Sequence, residues 1–118
     1  MMKFVLGRIK AFAYVFRGMY LMLTGEDSIQ VQFVLFLLTS GFSYYLGFTN
    51  VEWTVFFLAW GLIFTTETLN TAIERLCDVV SPEWDNRIRD IKDLSAGAVG
   101  WAAIMSFIAY ILLILNHI

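Results

Sequence analysis

Polar and apolar positions divide this chain into three uncharged runs separated by charged punctuation. Ser28–Val51 carries no charge and supplies a helix over about 29–48. Leu94–Asn116 is likewise uncharged and supplies a helix over about 94–115. Each is long enough to cross a bilayer, since about 20 apolar residues traverse the hydrocarbon core. The middle run, Trp53–Thr66, has only fourteen residues. It reaches about 21 Å at 1.5 Å per residue, against a core of about 30 Å. A helix there must continue over about 53–79, taking Glu67 and Asn70 into the membrane or to its edge. Gly47, Asn50 and Glu52 are expected to form a tight antiparallel connection between the first two spans.

A different periodicity marks residues 1–25. Lys3, Gly7, Lys10, Tyr14 and Arg17 share one side of a helix, opposite Val5, Phe12, Phe16, Met19 and Leu23. That pattern predicts an amphipathic helix lying in the membrane interface. It ends at Thr24-Gly25, and Glu26-Asp27-Ser28 leads into the first span. The helix is an anchor, or it covers a polar site with Tyr14, Arg17 and Glu26 turned inward. The expected fold is an all-α membrane protein: one domain, one interfacial helix and three transmembrane helices.

The middle helix is the informative one. At 100° per residue, Glu67, Asn70, Glu74 and Asp78 fall within a stripe about 80° wide, while Leu69, Ala72, Ile73 and Leu76 cover the rest. Carboxylates near hydrocarbon depth are costly and usually functional. Ser81-Pro82-Glu83 then breaks the helix, because proline cannot continue it. The polar stretch that follows ends in Lys92-Asp93, at the mouth of the last span. Ala96, Gly97, Gly100 and Ala103 are small residues that would let the last helix approach a neighbour. Phosphoryl transfer needs a divalent cation on one or two carboxylates, a cationic side chain near the phosphates and a base on the acceptor hydroxyl. Glu26, Glu67, Asn70, Glu74 and Lys92 supply those parts. A glutamate in a low-dielectric setting binds its proton more tightly, which suits a general base. The chain has no G-x-x-x-x-G-K-[ST] sequence and no kinase glycine-rich loop, so helix side chains and metal must hold any nucleotide.

Composition narrows the reading. Hydrophobic residues make up 59% of the 118 positions and the mean hydropathy is +0.72, both outside the ordinary soluble range. The net charge of −2 and the lack of a large basic face exclude nucleic acid as a partner. A lone cysteine, Cys77, excludes an intrachain disulfide and reads as a packing residue. No cleavable signal peptide is expected, since the N-terminal basic residues extend to Arg17. All eight basic residues precede the first span or lie between the second and third. The positive-inside rule therefore puts the N-terminus and the 75–93 segment in the cytoplasm, where ATP is available.

E-x-x-N-T-A-I-E-x-x-x-D at 67–78, followed by K-D-x-x-A-G-A-V at 92–99, resembles the small integral-membrane bacterial diacylglycerol kinase family, which includes undecaprenol kinases. The resemblance extends over nearly the whole chain. It implies an ATP- and Mg²⁺-dependent lipid kinase of the inner membrane, phosphorylating diacylglycerol or undecaprenol at the cytoplasmic interface. By the same resemblance Glu67 is the base that activates the lipid hydroxyl, and Glu26 and Glu74 hold magnesium on the ATP phosphates. Asn70 and Lys92 contact the phosphates, with Asn70 also beside the lipid substrate; Asp78, Asp93 and Tyr14 lie around the nucleotide. A homotrimer with sites shared between chains is likewise implied. Two positions depart from the pattern: Gln32 stands where diacylglycerol kinases often carry an acid, and Gln30 where a basic residue is usual. The strings Asn-Thr-Ala-Ile-Glu and Ala-Gly-Ala-Val read nearer to the undecaprenol branch.

Two other readings compete. A small proton-coupled membrane transporter subunit would also carry an intramembrane glutamate, but calls for a fourth span and an acid within the first. An inactive scaffold is disfavoured by the joint presence of Glu26, Glu67, Asn70, Glu74, Asp78, Lys92 and Asp93.

Overall fold

In the computed structural model, which covers residues 1–118, the chain forms four helices: α1 (Met2–Gly25), α2 (Asp27–Leu46), α3 (Asn50–Val80) and α4 (Asn86–Leu115). They divide into two compact units, Met1–Leu35 and Phe36–Ile118.

The first unit holds α1 and the start of α2. The helices are separated by one residue, Glu26, whose extended backbone (φ −125°, ψ 117°) ends α1 while its N–H still reaches the Met22 carbonyl. Asp27 in the first turn of α2 places negative charge at the positive end of that helix dipole. The Gln30 side-chain amide donates to the Leu23 carbonyl at 2.9 Å and ties the two helices across the break. Met22 and Ile29 are buried, and most other side chains of α1 are exposed.

The second unit is built on α3 and α4 running antiparallel. α2 ends in a Schellman motif, with Gly47 N–H on the Tyr44 carbonyl and Phe48 N–H on the Ser43 carbonyl. Gly47 takes φ +82°, a conformation that glycine adopts without steric cost. Thr49 then caps α3 in a reciprocal box: its hydroxyl accepts from Glu52 N–H, and the Glu52 carboxylate accepts from Thr49 N–H. Asn50 and Glu52, expected in the connection, therefore belong to the first turn of α3. The capping box starts the helix early and leaves a loop of only three residues, 47–49.

At the other end α3 stops at Ser81, whose N–H reaches the Cys77 carbonyl. Asp85 restarts the chain as the N-cap of α4, accepting from Arg87 N–H at 2.8 Å. Helix α4 thus opens eight residues before the apolar run at Leu94 and absorbs most of the polar stretch.

A regular seam joins the two long helices. On α4 the buried and half-buried positions Ile88, Lys92, Ser95, Val99, Ala102, Ser106, Ala109 and Leu113 alternate by four and three. On α3 steps of four and three, with two fours in succession from Ala59 to Glu67, run through Glu52, Phe56, Ala59, Ile63, Glu67, Asn70 and Cys77, with one exposed position passed over between the last two. A mean step of 3.5 residues keeps one stripe facing the partner as helices wind around each other. The cross-links confirm the antiparallel sense. As the residue rises through Lys92, Ser95 and Ser106 on α4 and His117 just beyond it, its α3 partner falls through Asp78, Asn70, Ala59 and Glu52. Ser95, Ala102 and Ser106 are small and buried, so this side of α4 makes the close approach to α3. Ala96, Gly97 and Ala103 do not serve that contact: they are exposed, and a Cβ added at Gly97 or Gly100 would meet no atom within 4 Å. The 3.5-residue repeat, set by Ile88 and Lys92, carries the seam past them.

Phe36 on α2 packs among Phe56, Phe57, Trp60 and Phe64 of α3, with ring centroids 5.7 to 6.2 Å apart. Phe56 is the most enclosed large side chain, 1% exposed. Helices α2 and α4 are long and apolar enough to cross a membrane, with mean hydropathy of 1.3 and 2.3. Helix α3, at 31 residues, has the length but carries the acids.

Candidate active site

The acids predicted to share a face of α3 do so, in graded exposure. Glu67 is buried at 8% exposure. Asn70 is half-buried, and Glu74 and Asp78 are exposed. The Asn70 amide nitrogen donates to Glu74 Oε1 at 3.4 Å, one turn along the same helix. From α4, Lys92 Nζ donates to Asp78 Oδ1 at 2.6 Å. That bond, with the Asp78 charge, holds the lysine above its ordinary pKa, so it stays cationic over the whole physiological range. Three donors on an ammonium leave two more for a ligand.

Asp93 is exposed and pairs with Arg89 at 3.8 Å on its own helix. It lies beside Lys92 along the chain but off the seam. Asp78, Lys92 and Asp93 join Trp84 and Arg89 around a cavity of about 260 Å³ at the α3–α4 connection. Arg89 lies over the Trp84 ring at 5.6 Å, and the indole N–H donates to Asn86. Tyr14 and Glu26 belong to the first unit: Tyr14 is exposed on α1, and Glu26 is half-buried at the α1–α2 break.

Sequence reasoning missed one residue in the midst of this cluster. Ser95, buried on α4, donates from Oγ to Asn70 Oδ1. The available signal was its place three residues after Lys92, on the same helix face.

The donor set can be tested against a divalent cation. No three His, Cys, Asp or Glu side chains converge anywhere in the chain, so there is no all-protein metal cage. Magnesium does not require one: it is commonly held by one or two carboxylates, with substrate phosphates and water completing the shell. An exposed glutamate whose carboxylate meets the Asn70 amide at 3.4 Å, beside a cationic lysine at the same end of the pair, fits that arrangement.

The prokaryotic diacylglycerol kinase family pattern matches residues 13–114, nearly the whole chain. The chain belongs to that family. A relative agrees with it: the undecaprenol kinase of Bacillus subtilis (strain 168) is 29% identical over 106 residues, covering 90% of this chain and 86% of that protein. The matched span takes in every site residue described above, from Tyr14 to Ser95. As a member of the diacylglycerol kinase family the protein is a lipid kinase. The transporter reading falls with that result.

Proposed function

We propose that this kinase transfers the terminal phosphate of ATP to the primary hydroxyl of a membrane lipid alcohol, diacylglycerol or undecaprenol, at the cytoplasmic face of the inner membrane. The observation that carries this reading is the acidic end of the α3–α4 pair. There Asn70, Glu74 and Asp78 occupy successive turns of one helix, Lys92 reaches across from the other, and Glu67 lies buried one turn deeper.

Each group has a task. Glu67, shielded from water, takes the proton from the lipid hydroxyl as the oxygen attacks phosphorus. Its depth along α3 suits an acceptor that arrives from the membrane, whereas Glu74 and Asp78 lie toward water. Glu74 and Glu26 would hold magnesium, which when bound neutralises charge on the phosphate oxygens. Asn70 directs an N–H toward the transferring group, and Lys92 supplies a fixed positive charge. Asp78 keeps that ammonium in place, while Asp93 and Tyr14 border the nucleotide. The cavity walled by Trp84 and Arg89 offers room for part of ATP beyond Lys92. The chemistry is mainly positioning and charge neutralisation, as expected where the transition state demands little covalent help.

For α3 to serve this way it must cross the membrane as a third span, with Glu67 at the cytoplasmic edge and α1 flat in the interface. From Glu52 to Glu67 the helix rises about 22 Å, short of a core of about 30 Å, which supports a Glu67 inside the membrane or at its edge. A homotrimer completes the proposal, with sites shared between chains. The test is a labelled-ATP assay on the purified protein, with diacylglycerol and undecaprenol offered in parallel with magnesium. Label in one or both lipids supports the reading; ATP turnover with neither lipid labelled refutes it.

A further inference from the structure

Most hydroxyl side chains in these helices bond within their own helix. Ser40 donates to the Phe36 carbonyl, Thr54 to Asn50 and Thr68 to Phe64, all four residues back. This is the ordinary fate of serine and threonine in an apolar helix. Two α4 serines behave differently and cross the seam. Ser106 donates to the backbone carbonyl of Ala59 at 3.2 Å, a bond to a group that cannot turn. Ser95 donates to a side chain, Asn70 Oδ1, which can.

An asparagine amide has one face that only accepts and one that only donates. Rotation by half a turn about its last bond exchanges them with almost no change of shape. At Asn70 the two orientations are not equivalent. With Oδ1 held toward α4, Nδ2 points at Glu74 Oε1, donor to acceptor. Turned over, the oxygen would face the Glu74 carboxylate, and would meet any phosphate there as acceptor against acceptor. The Ser95 hydroxyl is the donor that fixes the choice. It is buried at 8% exposure, so water does not readily replace it. Lys92, one turn earlier on α4, fixes Asp78 in the same manner.

We propose that Ser95 is a positioning residue for phosphoryl transfer: its bond to Asn70 Oδ1 keeps the amide N–H groups turned toward Glu74 and the phosphates. The proposal rests on the kinase reading above and goes beyond it by assigning a role to a residue outside the acidic stripe. Ser95 does not touch substrate; it acts through Asn70.

Ser95→Ala, Ser95→Thr and Ser106→Ala are compared in detergent–lipid micelles for kcat, for KM toward ATP and lipid, and for thermal unfolding. Ser95→Ala is expected to lower kcat about 10- to 100-fold, the scale on which small misplacement acts, with KM for lipid unchanged. Ser95→Thr, which keeps the hydroxyl, recovers most of the lost rate. Ser106→Ala lowers the unfolding temperature at least as much as Ser95→Ala yet keeps kcat. A second readout is the ¹⁵N side-chain amide pair of Asn70, assigned by its loss in Asn70→Ala. That pair shifts in Ser95→Ala and stays in place in Ser106→Ala. The proposal is overturned if Ser95→Ala keeps the wild-type kcat, if Ser106→Ala loses rate to the same degree, or if the Asn70 amide signal does not respond to Ser95. Wild-type protein that phosphorylates neither lipid would instead overturn the kinase reading, so the two failures are distinct.

Discussion

The two ends of the α3–α4 pair use the same side-chain chemistry and reach opposite results. At the loop end Glu52 accepts from Thr49 N–H and meets His117 Nε2 through both carboxylate oxygens, at 3.0 and 2.8 Å. His117 stacks on Phe48 with ring centroids 5.3 Å apart. Nearby, Tyr110 bonds Ser43 and donates to the Thr39 carbonyl. Glu52 and His117 are mostly enclosed, so this end is a closed clasp between the α2–α3 loop and the C-terminal turn. At the acidic end a carboxylate again meets a base, Asp78 with Lys92, but the aspartate is two-thirds exposed and Glu74 faces outward. A saturated polar cluster contributes to stability; one left with open donors and acceptors is ready for a ligand.

The largest expected effect separates the ends by activity. Glu67→Gln and Glu74→Gln should each lower turnover by about 10²- to 10⁴-fold, the range for losing a general base or a comparable charged group. The unfolding temperature should hold, as measured by labelled-lipid formation beside thermal unfolding in the same micelles. A variant with both rate and stability intact would erase the distinction. Next in size, His117→Ala should lower the unfolding temperature by several degrees, while the folded fraction keeps its turnover, because that clasp touches no proposed site residue. Loss of kcat without loss of stability would show the clasp to be functional.

A smaller change sharpens the loop end. Tyr110→Phe removes one hydroxyl between two helices and should cost about 1 kcal/mol, the usual net worth of such a bond. Chemical unfolding in mixed micelles would measure it. The smallest effect lies in the polar connection. Arg87, through its side-chain and backbone bonds, holds the Asp85 carboxyl below the ordinary aspartate value. Its contribution is therefore complete above the ordinary carboxylate range and is lost as pH falls through the lowered value. Wild type should lose slightly more stability on acidification than Asp85→Asn, a difference read from unfolding midpoints across an acid series. Lys92 carries the opposite sign: its pairing persists at neutral pH and weakens only above the ordinary lysine range.

Much of the acidic end was legible because it violates expectation. Carboxylates following directly on an apolar run stand out in any helical projection, and Lys92 announced itself by charge. The clasp was not legible. Glu52 reads as an ordinary loop acid and His117 as a terminal residue, and only the antiparallel seam brings positions 65 residues apart together. Ser95 was hidden for a related reason: a serine in an apolar helix normally bonds its own backbone, and no periodicity reveals an exception. The small residues Ala96, Gly97 and Ala103 fall off the α3 seam, because glycine and alanine mark a possible contact without saying which face or neighbour makes it. Helix starts shifted where capping chemistry, Thr49 with Glu52 and Asp85 with Arg87, outweighed hydropathy.

The most direct trial of this account follows ³²P from [γ-³²P]ATP into lipid, using wild-type, Glu74→Gln and His117→Ala proteins matched for folded fraction. Label should enter lipid with wild type and with His117→Ala, and fall to background with Glu74→Gln. Lipid labelled at the wild-type rate by Glu74→Gln, or left unlabelled by folded His117→Ala, would contradict the assignment of function to the acidic end.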